Sequence, residues 1–126
     1  MTVPTAVLVL VGGAVGAPLR YLTDLFVQSR HDSVVPWGTI TVNVVGSLVL
    51  GVTAGAVDAT DGPTWVLTLV GTGFCGALTT YSTFAFETVR LLEKGSPVAA
   101  LINVGVSFVA GLAAFFAGWA LATTLA

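Results

Sequence analysis

Four long apolar stretches, separated by three short polar connectors, organise this chain of 126 residues. A helix rises about 1.5 Å per residue, so a hydrocarbon core of about 30 Å takes roughly 20 mostly apolar residues. Residues 3–27, 37–57, 63–92 and 97–125 each meet that length. The connectors are residues 28–36, 58–62 and 93–96, and they hold Arg30, His31, Asp32, Asp58, Asp61, Glu93 and Lys94. The apolar runs are continuous rather than alternating, which predicts helices and disfavours a β-barrel. The pattern fills residues 1–126 with one integral membrane domain. Pro4, Pro63 and Pro97 fall where helices start, a position that tolerates the missing N–H. Pro18 lies inside the first helix and is expected to bend it. The N-terminal stretch lacks a leading Lys or Arg and is longer than the apolar part of a usual signal peptide, so it reads as a retained first helix.

Composition narrows the classes of function. Hydrophobic residues make up 56% of the chain and charged residues 8%, with four Lys or Arg and six Asp or Glu; mean hydropathy is +0.99. An ordinary soluble domain is about one-quarter charged. A free soluble enzyme, a disordered tail and a nucleic-acid binder are therefore excluded, the last because net charge −2 leaves no basic patch for phosphates. The single cysteine, Cys75, excludes an internal disulfide, and the single histidine, His31, a His-rich site. His31 reads as a solvated loop residue and Cys75 as a small packing residue.

Four spans place both termini on one side. The first and third connectors then share the side that carries Arg30, Lys94, Arg20 and Arg90, which the positive-inside rule assigns to the cytoplasm. Trp37 at one end, with Trp65 and Trp119 at the other, fits an aromatic belt.

Small and polar residues inside the spans add detail. Gly12 and Gly16, and Gly51 and Gly55, are four apart and let helix backbones approach closely. Gly71, Gly73 and Gly76 crowd the centre of the third span before Thr79 and Thr80. Each glycine costs roughly 1 kcal/mol relative to alanine in a helix, so a break is expected there. Such a break is tolerated at membrane depth only where it is buried or lines an aqueous site, and its freed backbone groups can bind ions.

Three spans carry polar stripes at helical spacing: Thr39, Asn43, Gly46, Ser47 and Leu50; Thr80, Thr83, Phe84 and Glu87, with Ser82 beside them; and Asn103, Ser107, Gly111 and Ala114. One account is interhelical hydrogen bonding, worth ~0.6 kcal/mol each. The other is a polar pathway, and Asn43 favours it because a buried amide has two donors and two acceptors to satisfy. With no Lys or Arg at the centre, such a pathway suits a small anion or water. A fixed cation would hold an anion too tightly for rapid exit, and the positive edges of Tyr81 and Phe84 supply weaker contacts. Glu87 reads either as an ion-pair partner of Arg90 or Arg20, or as a group controlling ion access; Arg20 and Asp24, four apart, read as a local ion pair.

These residues resemble known signatures. The run from Gly12 to Tyr21, the run from Gly38 to Ser47, and the run from Gly73 to Phe84 are similar to the first, second and third helix motifs of the Fluc (CrcB) fluoride channels, in the same order and spacing over essentially the whole chain. The resemblance implies an all-α, four-helix membrane protein whose third helix is broken near its middle, paired as an antiparallel, dual-topology dimer with two pores. It implies passive export of fluoride across the cell membrane, lowering the cytoplasmic level of an ion that enters as neutral hydrogen fluoride. By position, Asn43 is the pore amide; Tyr81 and Phe84 take the aromatic positions; Thr80, Ser82, Thr83 and Ser107 form a polar track that Thr39 extends. Glu87 and Arg20 stand near pore ends. The backbone carbonyls of Gly76 and Thr79 match positions that hold a structural Na+ at the dimer centre. Tyr81 departs from the family's usual Phe, and Ala77 from a common second glycine. The one-sided Lys/Arg bias is unlike a dual-topology homodimer and raises a heterodimer with a paired homologue of opposite orientation. The alternative is a small dual-topology proton-coupled transporter, which needs a carboxylate at the midplane; an enzyme is disfavoured, since no nucleophile–base pair or metal cluster is present.

Overall fold

The computed structural model describes residues 3–30 and 34–126. Every regular element among them is helical. Helix α1 is Val3–Arg30, α2 is Trp37–Thr60 and the last, α5, is Pro97–Leu125; all three are long and apolar enough to cross a membrane. The third span is broken. It comprises α3, a wide π-wound stretch Leu67–Cys75 closed by an α-helical turn Gly76–Leu78, and α4, Ser82–Glu93.

Boundaries follow local chemistry. Helix α1 runs three residues past the apolar pattern and contains Pro18 without ending there. Helix α2 runs on to Thr60 and stops at Asp61, whose N–H still bonds the Val57 carbonyl; its left-handed φ of 49° turns the Gly62 N–H onto the same oxygen at 2.9 Å. Pro63 precedes its helix rather than opening it, because winding begins at Trp65 after a turn in which the Val66 N–H bonds the Pro63 carbonyl. Pro97 does open α5, as expected. His31 and Asp32 lie outside the described residues.

The glycine cluster does not itself form the break. Gly71 and Gly73 lie in the π-wound stretch, where the Gly76 N–H bonds the Gly71 carbonyl five residues back. The chain leaves helical geometry just beyond, at Thr79, which is extended with φ −81° and ψ 162°. Wide winding absorbs the glycines because α1 packs directly on their backbone: a methyl group added to Gly12 would meet the backbone of Leu69, Gly73 and Phe74.

Helices α2 and α5 make the most extensive pairing in the bundle, and α1 lies against α2 and α3. Near the charged end, Val35, Ile40, Leu91, Ala99 and Ala100 form a buried apolar cluster. Large apolar side chains elsewhere face outward, among them Leu10, Leu101 and Val109. An apolar exterior over a small-residue interior is what a lipid solvent favours, since lipid offers no hydrophobic force to bury those groups.

Candidate functional site

A helix break leaves backbone N–H and C=O groups without partners, and at membrane depth each must be satisfied. Here the Thr79 N–H still bonds the Cys75 carbonyl at 2.9 Å, and the Thr79 hydroxyl donates to the same oxygen at 2.8 Å. The Thr80 N–H, which in a continuous helix would reach Gly76, instead donates to Asn43 Oδ1 at 2.7 Å. Asn43 Nδ2 donates to the Thr80 carbonyl at 3.0 Å. One side chain from α2 thus takes both backbone groups of one residue. Thr80 Oγ1 then accepts the Thr83 N–H at 3.2 Å, acting as the cap that starts α4.

These bonds also release two carbonyls. The N–H groups that helical continuation would bring to Gly76 and Thr79 belong to Thr80 and Thr83, and both bond elsewhere. Neutral backbone oxygens freed at a membrane helix break are the donor type that suits a hard cation such as Na+. Gly76 and Thr79 therefore fit the ion that the sequence motif implies.

Beside the break opens a cavity of about 380 Å³. Its polar wall is Asn43 and Ser47 of α2, Thr79 and Thr80 of the break, and Ser107 of α5. The Ser47 hydroxyl donates to the Asn43 carbonyl at 2.8 Å. Ser107 Oγ is buried without a hydrogen-bond partner. Three rings line the same space: Tyr81 and Phe84 lie 6.1 Å apart between centroids, and Phe84 meets Phe108 edge to face, also at 6.1 Å. No Lys, Arg, Asp or Glu reaches this wall.

Thr80 also borders a second cavity of about 200 Å³, with Arg20, Asp24, Thr39 and Thr83. A third, of about 190 Å³, holds Glu87, Arg90 and Lys94. Thr39 joins the last two, donating its hydroxyl to Glu87 Oε1 at 2.5 Å. Shared residues therefore connect the uncharged central cavity to the charged end of the bundle, stepping from Thr80 through Thr39 to Glu87.

None of the ion pairs considered from sequence forms among the described residues. Asp24 Oδ2 accepts from Gln28 at 2.9 Å rather than from Arg20, while its Oδ1 is buried and unpartnered. Glu87 accepts from Thr39 rather than pairing with Arg90 or Arg20. Thr39 stands in the first turn of α2, where free N–H groups and the helix dipole add to the hydroxyl in favouring a carboxylate.

The central cavity gathers Asn43, Thr79, Thr80, Tyr81, Phe84, Ser107 and Gly76. Thr39, Thr83 and Arg20 stand at the second cavity and Glu87 at the third. Ser82 is exposed and borders none of the three; its hydroxyl lies 3.5 Å from Thr80 Oγ1. Phe108 and Asp24 are lining residues outside the set selected by motif. Phe108 is one position past Ser107 and off the polar stripe. Asp24 reads from sequence as half of a local pair, and nothing in the spacing aims it at Thr39.

Comparison with known proteins places the chain among relatives. Residues 7–119 match the family model described as CrcB-like protein, Camphor Resistance (CrcB). A relative from Frankia casuarinae, named Fluoride-specific ion channel FluC 1, is 57% identical over 120 residues, covering 91% of this chain and 93% of its own. One from Streptomyces avermitilis, also named Fluoride-specific ion channel FluC 1, is 56% identical over 111 residues, covering 88% and 90%. One from Mycobacterium tuberculosis, named Fluoride-specific ion channel FluC 2, is 43% identical over 118 residues, covering 94% and 90%. With a family match spanning most of its length and relatives of this identity, the chain belongs to the CrcB-like family of membrane proteins.

Proposed function

We propose that this chain is a subunit of a passive, fluoride-selective channel that lowers cytoplasmic fluoride. The observation that carries the reading is the central cavity: a buried, unpartnered Ser107 hydroxyl and the Asn43 amide face a space with no full charge on its wall. Fluoride is small and strongly hydrated, so it enters only where protein donors replace water. Hydroxyls, an amide and the positive edges of Tyr81 and Phe84 do so weakly and at several points. Conduction needs this, because each site must be left as readily as it is entered. Relatives named as fluoride channels support the same reading.

Arg20, Lys94 and Arg90 stand by the outer cavities, where cations attract an anion without trapping it at the centre. Thr80, Thr83 and Thr39 supply hydroxyls between the central cavity and Glu87, and Ser82 lies at the exposed edge of that track. Two chains in opposite orientation, either identical or paired homologues, enclose the central cavity in the cell membrane. The Gly76 and Thr79 carbonyls, neutral oxygens that would suit a hard cation, would hold a structural Na+ that steadies the break. A proton-coupled transporter is not favoured, since it needs a free midplane carboxylate, and Glu87 stands at the outer cavity in a bond with Thr39. Fluoride efflux from liposomes, with chloride and proton gradients controlled, tests the proposal.

A further inference from the structure

We propose that the Thr80 peptide is a positioning group: it fixes the Asn43 carboxamide so that nitrogen, not oxygen, is the group offered to the central cavity.

A primary amide presents a donor face and an acceptor face of nearly equal shape, and a half turn about the last side-chain bond exchanges them. A free amide at a pore wall therefore offers either sign of partial charge. Asn43 has no such freedom. Its Oδ1 accepts the Thr80 N–H at 2.7 Å and its Nδ2 donates to the Thr80 carbonyl at 3.0 Å. A backbone N–H only donates and a backbone carbonyl only accepts, so the orientation follows from the partners themselves. A half turn would set N–H against N–H and oxygen against oxygen, losing both bonds.

Nδ2 carries two hydrogens, and one is held by Thr80. The other remains on a residue that lines the cavity. The Ser47 hydroxyl spends its own hydrogen on the Asn43 backbone carbonyl at 2.8 Å, and among the described residues the Asn43 side chain bonds only to Thr80, so no protein acceptor takes the second hydrogen. The Thr80 N–H is available for this role only because Thr79 turns extended and stops the helix. The break thus sets the electrical sign of the neighbouring wall, as well as making room for it. That this sign favours fluoride rests on the function proposed above; the lock itself does not.

The direct test replaces the Thr80 amide by an ester, using the α-hydroxy analogue of threonine. The side chain and the Thr80 carbonyl stay, the N–H gives way to an ester oxygen, and the Thr79 carbonyl becomes a weaker ester acceptor, so the assay is run at saturating Na+ to separate loss of the lock from loss of the ion. In proteoliposomes, the ester protein with a native elution profile is expected to lose at least about tenfold in fluoride efflux and in preference for fluoride over chloride. Unchanged efflux and preference would overturn the proposal. Asn43→Asp is a companion. It keeps an acceptor for the Thr80 N–H but shows the cavity a charged oxygen, so it is expected to elute natively and pass no fluoride. Native fluoride flux in Asn43→Asp would also overturn the proposal.

If the ester protein does not fold, nuclear magnetic resonance of the unaltered chain decides. One Nδ2 proton of Asn43 is expected to be protected from exchange, and added fluoride to shift the other. Two protons exchanging alike would overturn the lock. If the unaltered chain passes no fluoride, the proposed function fails, while the protection pattern still tests the lock.

Discussion

Thr39 Oγ1 donates to Glu87 Oε1 across 48 positions of sequence, tying the first turn of α2 to the middle of α4. A hydroxyl bonded to a carboxylate contributes about 1.5–3 kcal/mol when the environment is partly buried. Thr39→Val is expected to lower stability by that amount in detergent unfolding, and Thr39→Ser to retain most of it. Equal melting of the valine variant and the parent would show that the bond adds nothing.

The α2–α5 seam depends on backbone approach. A methyl group added to Gly51 would strike the backbone of Phe115, which cannot step aside as a side-chain tip can. Gly51→Ala is expected to cost about 1–3 kcal/mol. Gly105, in α5, has nothing within 4 Å of the same added atom, and Gly105→Ala is expected to be neutral or to stabilise by up to ~1 kcal/mol through helix propensity. Thermal scans of the two variants side by side check the contrast.

Ser107 separates stability from transport. Its hydroxyl is buried without a partner, so Ser107→Ala breaks no internal hydrogen bond and is expected to leave stability unchanged or slightly raised. Fluoride efflux in the same variant is expected to fall several-fold. A variant with both properties intact would remove Ser107 from the path.

The proposed Na+ would be held by the Gly76 and Thr79 carbonyls, whose helical N–H partners, Thr80 and Thr83, bond elsewhere. Purification and assay with a bulky organic cation in place of Na+ are expected to reduce flux and loosen the dimer, with recovery when Na+ returns. Full flux and an unchanged assembly size after exhaustive replacement would argue that the carbonyls of Gly76 and Thr79 hold no ion.

Much of this arrangement is legible in the sequence, for identifiable reasons. Continuous apolar runs define four spans because the bilayer fixes their length. The i, i+4 spacing of Asn43 and Ser47, and of Asn103 and Ser107, marks faces that the bundle turns inward. The break is legible as a disturbance and less so as a position. Glycine content signals the weak helix at Gly71–Gly76, yet the turn falls at Thr79, where Asn43 of another helix receives the freed N–H. That partner is 37 positions away, and no local pattern encodes it. Charge pairing misleads for the same reason. Arg20 and Asp24 are four apart, and so are Asp24 and Gln28, but only the second pair bonds in the fold. Glu87 turns to Thr39 because the start of α2 lies beside it.

Passive, selective passage of fluoride is read by efflux from liposomes followed with a fluoride electrode. Liposomes loaded with fluoride and chloride, carrying the chain alone or with a paired homologue, are expected to lose fluoride rapidly while chloride stays, with no proton gradient imposed. Fluoride loss that required a proton gradient, or chloride loss at a matching rate, would contradict the account.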